Sequence, residues 1–205
     1  YFEASPRWAL DQPYQQSASK GYEADGLLYL KSGSKEQNIL AKQGDDLRID
    51  WGYFYMVAGK ENTAYSVGNS TELRKNFVNG TLNSASLEGE DSNGNMALVR
   101  SHGKVKNVTD KIMLGYDDIY SIQYFGTNLR PYWNSKGDRT IEAEMLAAYN
   151  EYDKLLARCY AFDKKLMEDA SAAGGKEYAE LCALAYRQSI AAHKLVEAPN
   201  GDLLW

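Results

Sequence analysis

The densest group of chemically capable side chains is YDDIYSIQYFGTNLRPYW, residues 116–133, with four tyrosines, two adjacent aspartates, one arginine and one tryptophan. Paired carboxylates on one face can share acid–base work or flank a glycosidic bond. A planar guanidinium can hold a carboxylate through both oxygens, and Tyr and Trp offer an apolar face with a polar tip. Read as one long strand over residues 110–125, the segment places Ile112, Leu114, Tyr116, Asp118, Tyr120, Ile122 and Tyr124 on one face. Asp117, Ile119, Ser121, Gln123 and Phe125 then fall on the other, because adjacent strand residues alternate. Asp117 and Asp118 are therefore not a dyad unless a bulge realigns them. Asp118 lies on the aromatic face, where an ionised carboxylate needs partners. It is expected to be a buried, hydrogen-bonded structural acid, as is Asp50, with a ligand-facing acid as the alternative for Asp118, while Asp117 is a substrate-binding candidate. Gly126 permits a bend and Pro131 ends regular pairing, so residues 126–133 read as a partly wet junction, the kind of place where ligands bind. There Arg130 and Trp133 are substrate-binding candidates, with Arg130 the best placed to grip a carboxylate.

Two more candidates, Arg187 and Gln188, sit in LAYRQSIAAHK beside an apolar stripe, either solvated or turned toward a cleft. With only two histidines, His102 and His193, and no close His/Cys spacing, no metal site or cofactor is expected. No G-x-S-x-G elbow exists to support a serine triad. Ser-x-x-Lys occurs at Ser17–Lys20 and Ser32–Lys35, in what read as Gly/Ser-rich turns rather than the start of a buried helix. Sequons begin at Asn69, Asn79 and Asn107. No catalytic residue is assigned.

The elements that must position these groups change character near residue 134. Before it, LRIDWGYFYMV alternates as a half-buried strand, with Leu47, Ile49, Trp51, Tyr53, Tyr55 and Val57 on one face. Shorter strand candidates are GLLYL (26–30), NILAK (38–42), AYSVG (64–68), MALVR (96–100) and KVKNV (104–108), joined by polar turns. STELRKNF (70–77) predicts a short helix with a Ser or Thr cap. Many short strands argue a β-sandwich. After residue 134, Ile141, Met145, Tyr149, Tyr152, Leu156, Cys159, Phe162 and Leu166 recur at helical spacing, with Asp138 as the expected cap. Gly174-Gly175 breaks the chain, and Tyr178, Leu181, Cys182, Ala185, Gln188, Ala192, Leu195 and Val196 share the face of a second helix. The expected fold is thus α+β: an antiparallel sandwich over 1–125, a linker over 126–137 and a helical hairpin over 138–205. Cys159 and Cys182 would differ in height in such a hairpin by about 10 Å, beyond disulfide reach, and are expected to be free and buried.

The net charge of −5, with no basic cluster, argues against nucleic acid or an anionic membrane as partner, and no apolar run approaches a membrane span. The sixteen tyrosines fit a β-rich core better than a wet aromatic surface. The chain starts without Met and ends in LLW, which reads as a piece of a longer protein. Two amphipathic helices cannot bury both apolar faces alone, so self-association through residues 138–205, or docking of the hairpin on the sheet, is expected.

GDDLRIDWGYFYM (44–56), GYDDIYSIQYFGTNLRPYW (115–133) and AGGKEYAELCALAYRQSIAAHKLVEAPNGDLL (173–204) resemble the glutaminase A family of secreted bacterial and fungal proteins, in order and from about residue 36 onward. The resemblance implies a β-sandwich followed by a helical-hairpin domain like the (α/α)6 toroids of glycoside hydrolases, of which this chain would hold the opening hairpin. It also implies hydrolysis of L-glutamine to L-glutamate and ammonia, and a secreted, periplasmic or cell-surface location. The chain alone, lacking the other hairpins, is expected to be inactive. Two further readings stand beside this one: a glycoside-hydrolase-like enzyme acting on carbohydrate, and a sandwich that only binds.

Overall fold

The computed structural model describes residues 1–42, 49–82 and 94–205. The protein is mixed α+β, with antiparallel sheets and a long C-terminal helix. The central sheet has strand order β2-β3-β4-β7, built from β2 (Ser17–Ala24), β3 (Leu27–Ser34), β4 (Tyr53–Gly59) and β7 (Met113–Asp117), each antiparallel to its neighbour. Asp25 and Gly26, both at positive φ (49° and 80°), form the two-residue turn between β2 and β3. Asp-Gly suits that turn because its twist matches the strands it joins. A second sheet, order β1-β6-β5, comprises β1 (Phe2–Ala4), β5 (Thr63–Gly68) and β6 (Asn95–Arg100).

Alternation along β4 explains how the layers assemble. Phe54, Met56 and Ala58 join Leu28 and Leu30 of β3, and Ala4, Val67, Met96 and Leu98 of the second sheet, in one apolar core. Tyr55 and Val57 point the other way and meet Leu27, Tyr29 and Met145 of helix α2 (Ile141–Asn150). Fully burying each such Leu, Val or Met side chain contributes roughly 1.5–3 kcal/mol. The strand expected to be half-buried is thus buried on both faces, because α2 covers the second one.

β4 also starts later than its alternation implies. Gly52 at φ 77° turns the chain, and a side chain there would collide with the backbone carbonyl of Asp117. Ile49 and Trp51 therefore precede the strand, and Leu47 lies outside the described residues. NILAK is not a strand: Gln37 and Leu40 both take positive φ, 47° and 49°. KVKNV is exposed, and among the described residues no strand pairs with it. Ser17, Lys20 and Ser32 lie in strands rather than turns. The short helix is present as α1 (Ser70–Val78), but its cap is Asn69, whose side chain accepts from the N–H of Thr71 at 2.9 Å.

The single strand expected over residues 110–125 is broken. β7 stops at Asp117, Ile119 takes φ 59°, and a separate hairpin of β8 (Ile122–Tyr124) and β9 (Thr127–Leu129) turns at Phe125 and Gly126. Short polar side chains make the break: Asp117 accepts the N–H of Ile119 at 3.0 Å, competing with the ladder.

α2 is capped by Thr140, which accepts from the N–H of Ala143 at 3.2 Å, and not by Asp138. After Glu151 the chain re-enters helix as α3 (Tyr152–Ala192), interrupted at Gly175, whose φ of 80° and ψ of −176° are not helical. The two arms fold back so that the rings of Phe162 and Tyr186 lie 5.1 Å apart. Both cysteines are free, but Cys159 is exposed and Cys182 only half-buried, because the arms present their apolar stripe to solvent. The helix ends at Ala192, so Leu195 and Val196 leave its face and Val196 enters β10 (Val196–Glu197), paired with β11 (Leu203–Leu204). Among the described residues no helix is long and apolar enough to cross a membrane.

Candidate functional site

The end of β7, the short turn after β9 and the segment following α3 converge on one seam. Its anchor is Trp51, whose indole N–H donates to the carbonyls of Asp118 (2.7 Å) and Tyr120 (3.0 Å). The Tyr116 hydroxyl in turn donates to the carbonyl of Trp51. The backbone beyond β7, having lost its ladder partners, is thus tied by side chains. Pro131 bridges Val196, and the N–H of Tyr132 donates to the carbonyl of Leu195 at 2.9 Å. Glu197 accepts from Lys136 at 2.6 Å and from Ser135 at 2.8 Å, and these bonds hold its carboxyl below the ordinary range.

Between these ties lies a cleft of about 400 Å³, lined by Tyr116, Asp118, Tyr132, Trp133, His193 and Lys194 among others. Asp118 is 4% exposed, and its Oδ2 accepts from Ser121 Oγ at 2.7 Å and from Lys194 Nζ at 3.1 Å. A buried carboxylate is tolerable with two such donors. Lys194 keeps a side-chain exposure of 44%, so its ammonium has further N–H groups for whatever enters the cleft. His193 Nδ1 lies 2.6 Å from the carbonyl of Ser189, which fixes the ring at the helix end. The arrangement pairs aromatic walls with one anchored cation, so it can hold a small ligand carrying an anionic end.

Of the residues expected to bind substrate, Trp133 lines this cleft and Arg130 does not. The Arg130 guanidinium lies 4.9 Å from the Tyr120 ring centre and packs on Gly137. Asp117 is on the opposite side of the strand end. Burial pushes its carboxyl up; the Ile119 N–H pulls it down, Asp118 pushes it up, and Lys31 and Arg130 pull it down. Arg187 borders the groove between the arms of α3, and Gln188 is exposed. Asp50, 1% exposed, braces the N-terminal segment, accepting from Gln15 Nε2 at 2.9 Å and pairing with Lys42 at 3.1 Å. Among the described residues no group of three or more His, Cys, Asp or Glu could hold a metal.

Sequence reasoning missed Lys194, Ser121 and the cleft-side place of His193. The only signal was a polar His-Lys pair where the helical period stops. The groove between the α3 arms is larger, about 1180 Å³, but its walls are mostly apolar, including Leu155, Phe162, Leu166, Tyr186 and Ile190. Size alone does not make it the chemical site.

The fold is that of a mixed α+β domain with a polar, aromatic-walled cleft at its seam. Residues 1–169 match the family described as "Domain of unknown function (DUF5127)", and the chain belongs to that family. No curated protein and no solved structure matches it.

Proposed function

We propose that this domain serves a glutaminase, which hydrolyses the side-chain amide of L-glutamine with water to give L-glutamate and ammonia. In this reading the seam cleft takes the carboxylate end of the amino acid. One observation carries it: Lys194, held on the buried Asp118, presents spare N–H donors in an aromatic-walled cleft. Lys194, rather than Arg130, is then the carboxylate holder, because the guanidinium is spent on Tyr120. The two sheets that share a core read as a β-sandwich, and the α3 arms as the first hairpin of an (α/α)6-like toroid. Its exposed stripe, with Phe162, Leu181 and Tyr186, is where further hairpins or a second copy would pack. The isolated chain is inactive on this reading, since one hairpin cannot enclose a central cleft. Export from the cell follows from the same resemblance.

The test is ammonia release from L-glutamine by the intact protein, beside reducing-sugar release from a glycan panel. Lys194→Met should raise KM for glutamine about tenfold or more while leaving kcat nearly unchanged, as expected for a lost charge-assisted contact made equally in ground and transition states. Sugar release without ammonia release would replace this reading with glycoside hydrolysis. Glycan binding without turnover of either substrate would make the domain a binding module.

A further inference from the structure

The central sheet carries a second polar constellation, away from the seam. On the face packed by α2, β3 presents Leu27, Tyr29 and then Lys31, since every second residue points the same way. Leu27 and Tyr29 lie in the cluster with Met145, whereas Lys31 lies further along the strand and is only half-buried. Its ammonium is 3.7 Å from the centre of the Tyr53 ring and 5.4 Å from that of Tyr55. Directly across the strand pair stands Lys20, with its ammonium 5.3 Å from the Tyr22 ring centre.

Two like charges directly opposite in an antiparallel pair are destabilising. The usual remedy is a carboxylate between them, yet among the described residues no hydrogen bond or ion pair reaches either ammonium. The nearby acids are engaged elsewhere. Glu142 accepts the Tyr22 hydroxyl at 2.6 Å, and Asp117 accepts the Ile119 N–H at 3.0 Å. Burial pushes the Lys31 amine below its ordinary range, and the charge of Lys20 pushes it the same way, while Glu142 and Asp117 act through space in the other direction. Each acid thus has one oxygen bonded elsewhere, and among the described residues neither meets an ammonium directly.

We propose that Lys20 and Lys31 form a binding site for a small carboxylate anion, seated between the two ammonium groups against the tyrosine wall. A sugar fits less well, because the rings are already covered: Tyr53 by Lys31, and Tyr22 by Tyr29 at 5.2 Å. The Tyr53 ring is also pinned, since it fills the space where a side chain on Gly33 would project. The site is independent of the seam cleft and of the proposed glutaminase activity.

The experiment is titration of the isotopically labelled chain with sodium succinate at constant ionic strength, with sodium chloride as control, followed by amide NMR. Saturable shifts at residues 31–33 and 53–55 are expected, with Kd on the order of 1–10 mM for so exposed an ion contact. Lys31→Met should weaken binding about tenfold, and Lys20→Met severalfold. Lys31→Gln serves as the second variant if the Met form folds poorly. Non-saturating shifts, or equal responses in wild type and both Lys31 variants, would overturn the proposal.

Discussion

Asp117 and Asp118 differ by one position and live in opposite surroundings. Asp118 is 4% exposed, shares its Oδ2 between a serine and a lysine, and faces the seam cleft. Asp117 is half-buried on the far side, holds one backbone N–H, and its carboxyl is pushed up by burial. The difference arises because β7 ends between them. Alternation alone would separate two side chains by facing them apart. The end of the strand adds a change of backbone, so that Asp118 is reached by partners from other elements. An acid at a strand terminus therefore takes its environment from the chain that crosses it, not from its neighbour.

The sharpest way to break this comparison is to remove each carboxylate in turn. Asp118→Ala leaves Ser121 and Lys194 without their shared acceptor and should cost about 2–4 kcal/mol, a lower figure than a fully buried pair because Lys194 reaches solvent. Asp118→Asn keeps an acceptor for Ser121 and should recover part of that loss. Thermal unfolding measures both. An Asp117→Ala protein melting as low as Asp118→Ala would show that the two positions are equivalent after all.

That pairing also marks the limit of what the residues reveal by themselves. β3, β4, β5, β6 and the break at Gly174-Gly175 were legible, because alternation, helical period and glycine are local signals. NILAK and KVKNV alternate as well, yet among the described residues neither has a strand to pair with, and pairing is decided by the rest of the fold. The break after Asp117 rests on side chains bonding to nearby backbone, which looks identical in sequence to an exposed polar residue. The burial of Asp118 could be inferred from its aromatic face. Its partner Lys194 could not, since it arrives from 76 positions away. Arg130 was chosen for its chemistry, and the ring of Tyr120 turns that same planar surface to another use.

A third carboxylate sharpens the contrast by shifting in the other direction from Asp117. Burial would raise Glu3, but hydrogen bonds from Arg74 (2.8 Å), Asn95 (2.6 Å), Ser70 and Tyr1 (2.9 Å) outweigh it and pull its carboxyl down to about 2 from an ordinary 4.5. A group depressed in the folded state stabilises above its unfolded value, and that stability is lost as pH falls. Glu3→Gln should therefore cost about 1–2 kcal/mol at pH 7. The difference from wild type should shrink between pH 4.5 and about 2, because the wild-type carboxyl also loses its charge there. Denaturant melts across that range test it, and a constant difference would mean the stabilisation is not ionic.

Asp117 is the smallest expected effect and the most discriminating in sign. Its folded carboxyl sits above the ordinary value of 3.8. The unfolded chain therefore releases this proton at lower pH than the folded one, so the group's contribution turns against folding as pH rises through that window. Asp117→Asn keeps an oxygen to accept the Ile119 N–H and never ionises. It should leave the protein equal to wild type below the ordinary carboxyl value and more stable than it near neutrality, by less than about 1 kcal/mol. Two neighbours oppose the trend, since Lys31 and Arg130 both favour the charged form. Asp117→Asn in a Lys31→Met background should therefore show a larger gain than in wild type. A variant less stable than wild type at neutral pH in both backgrounds would mean that Lys31 and Arg130 outweigh burial at Asp117.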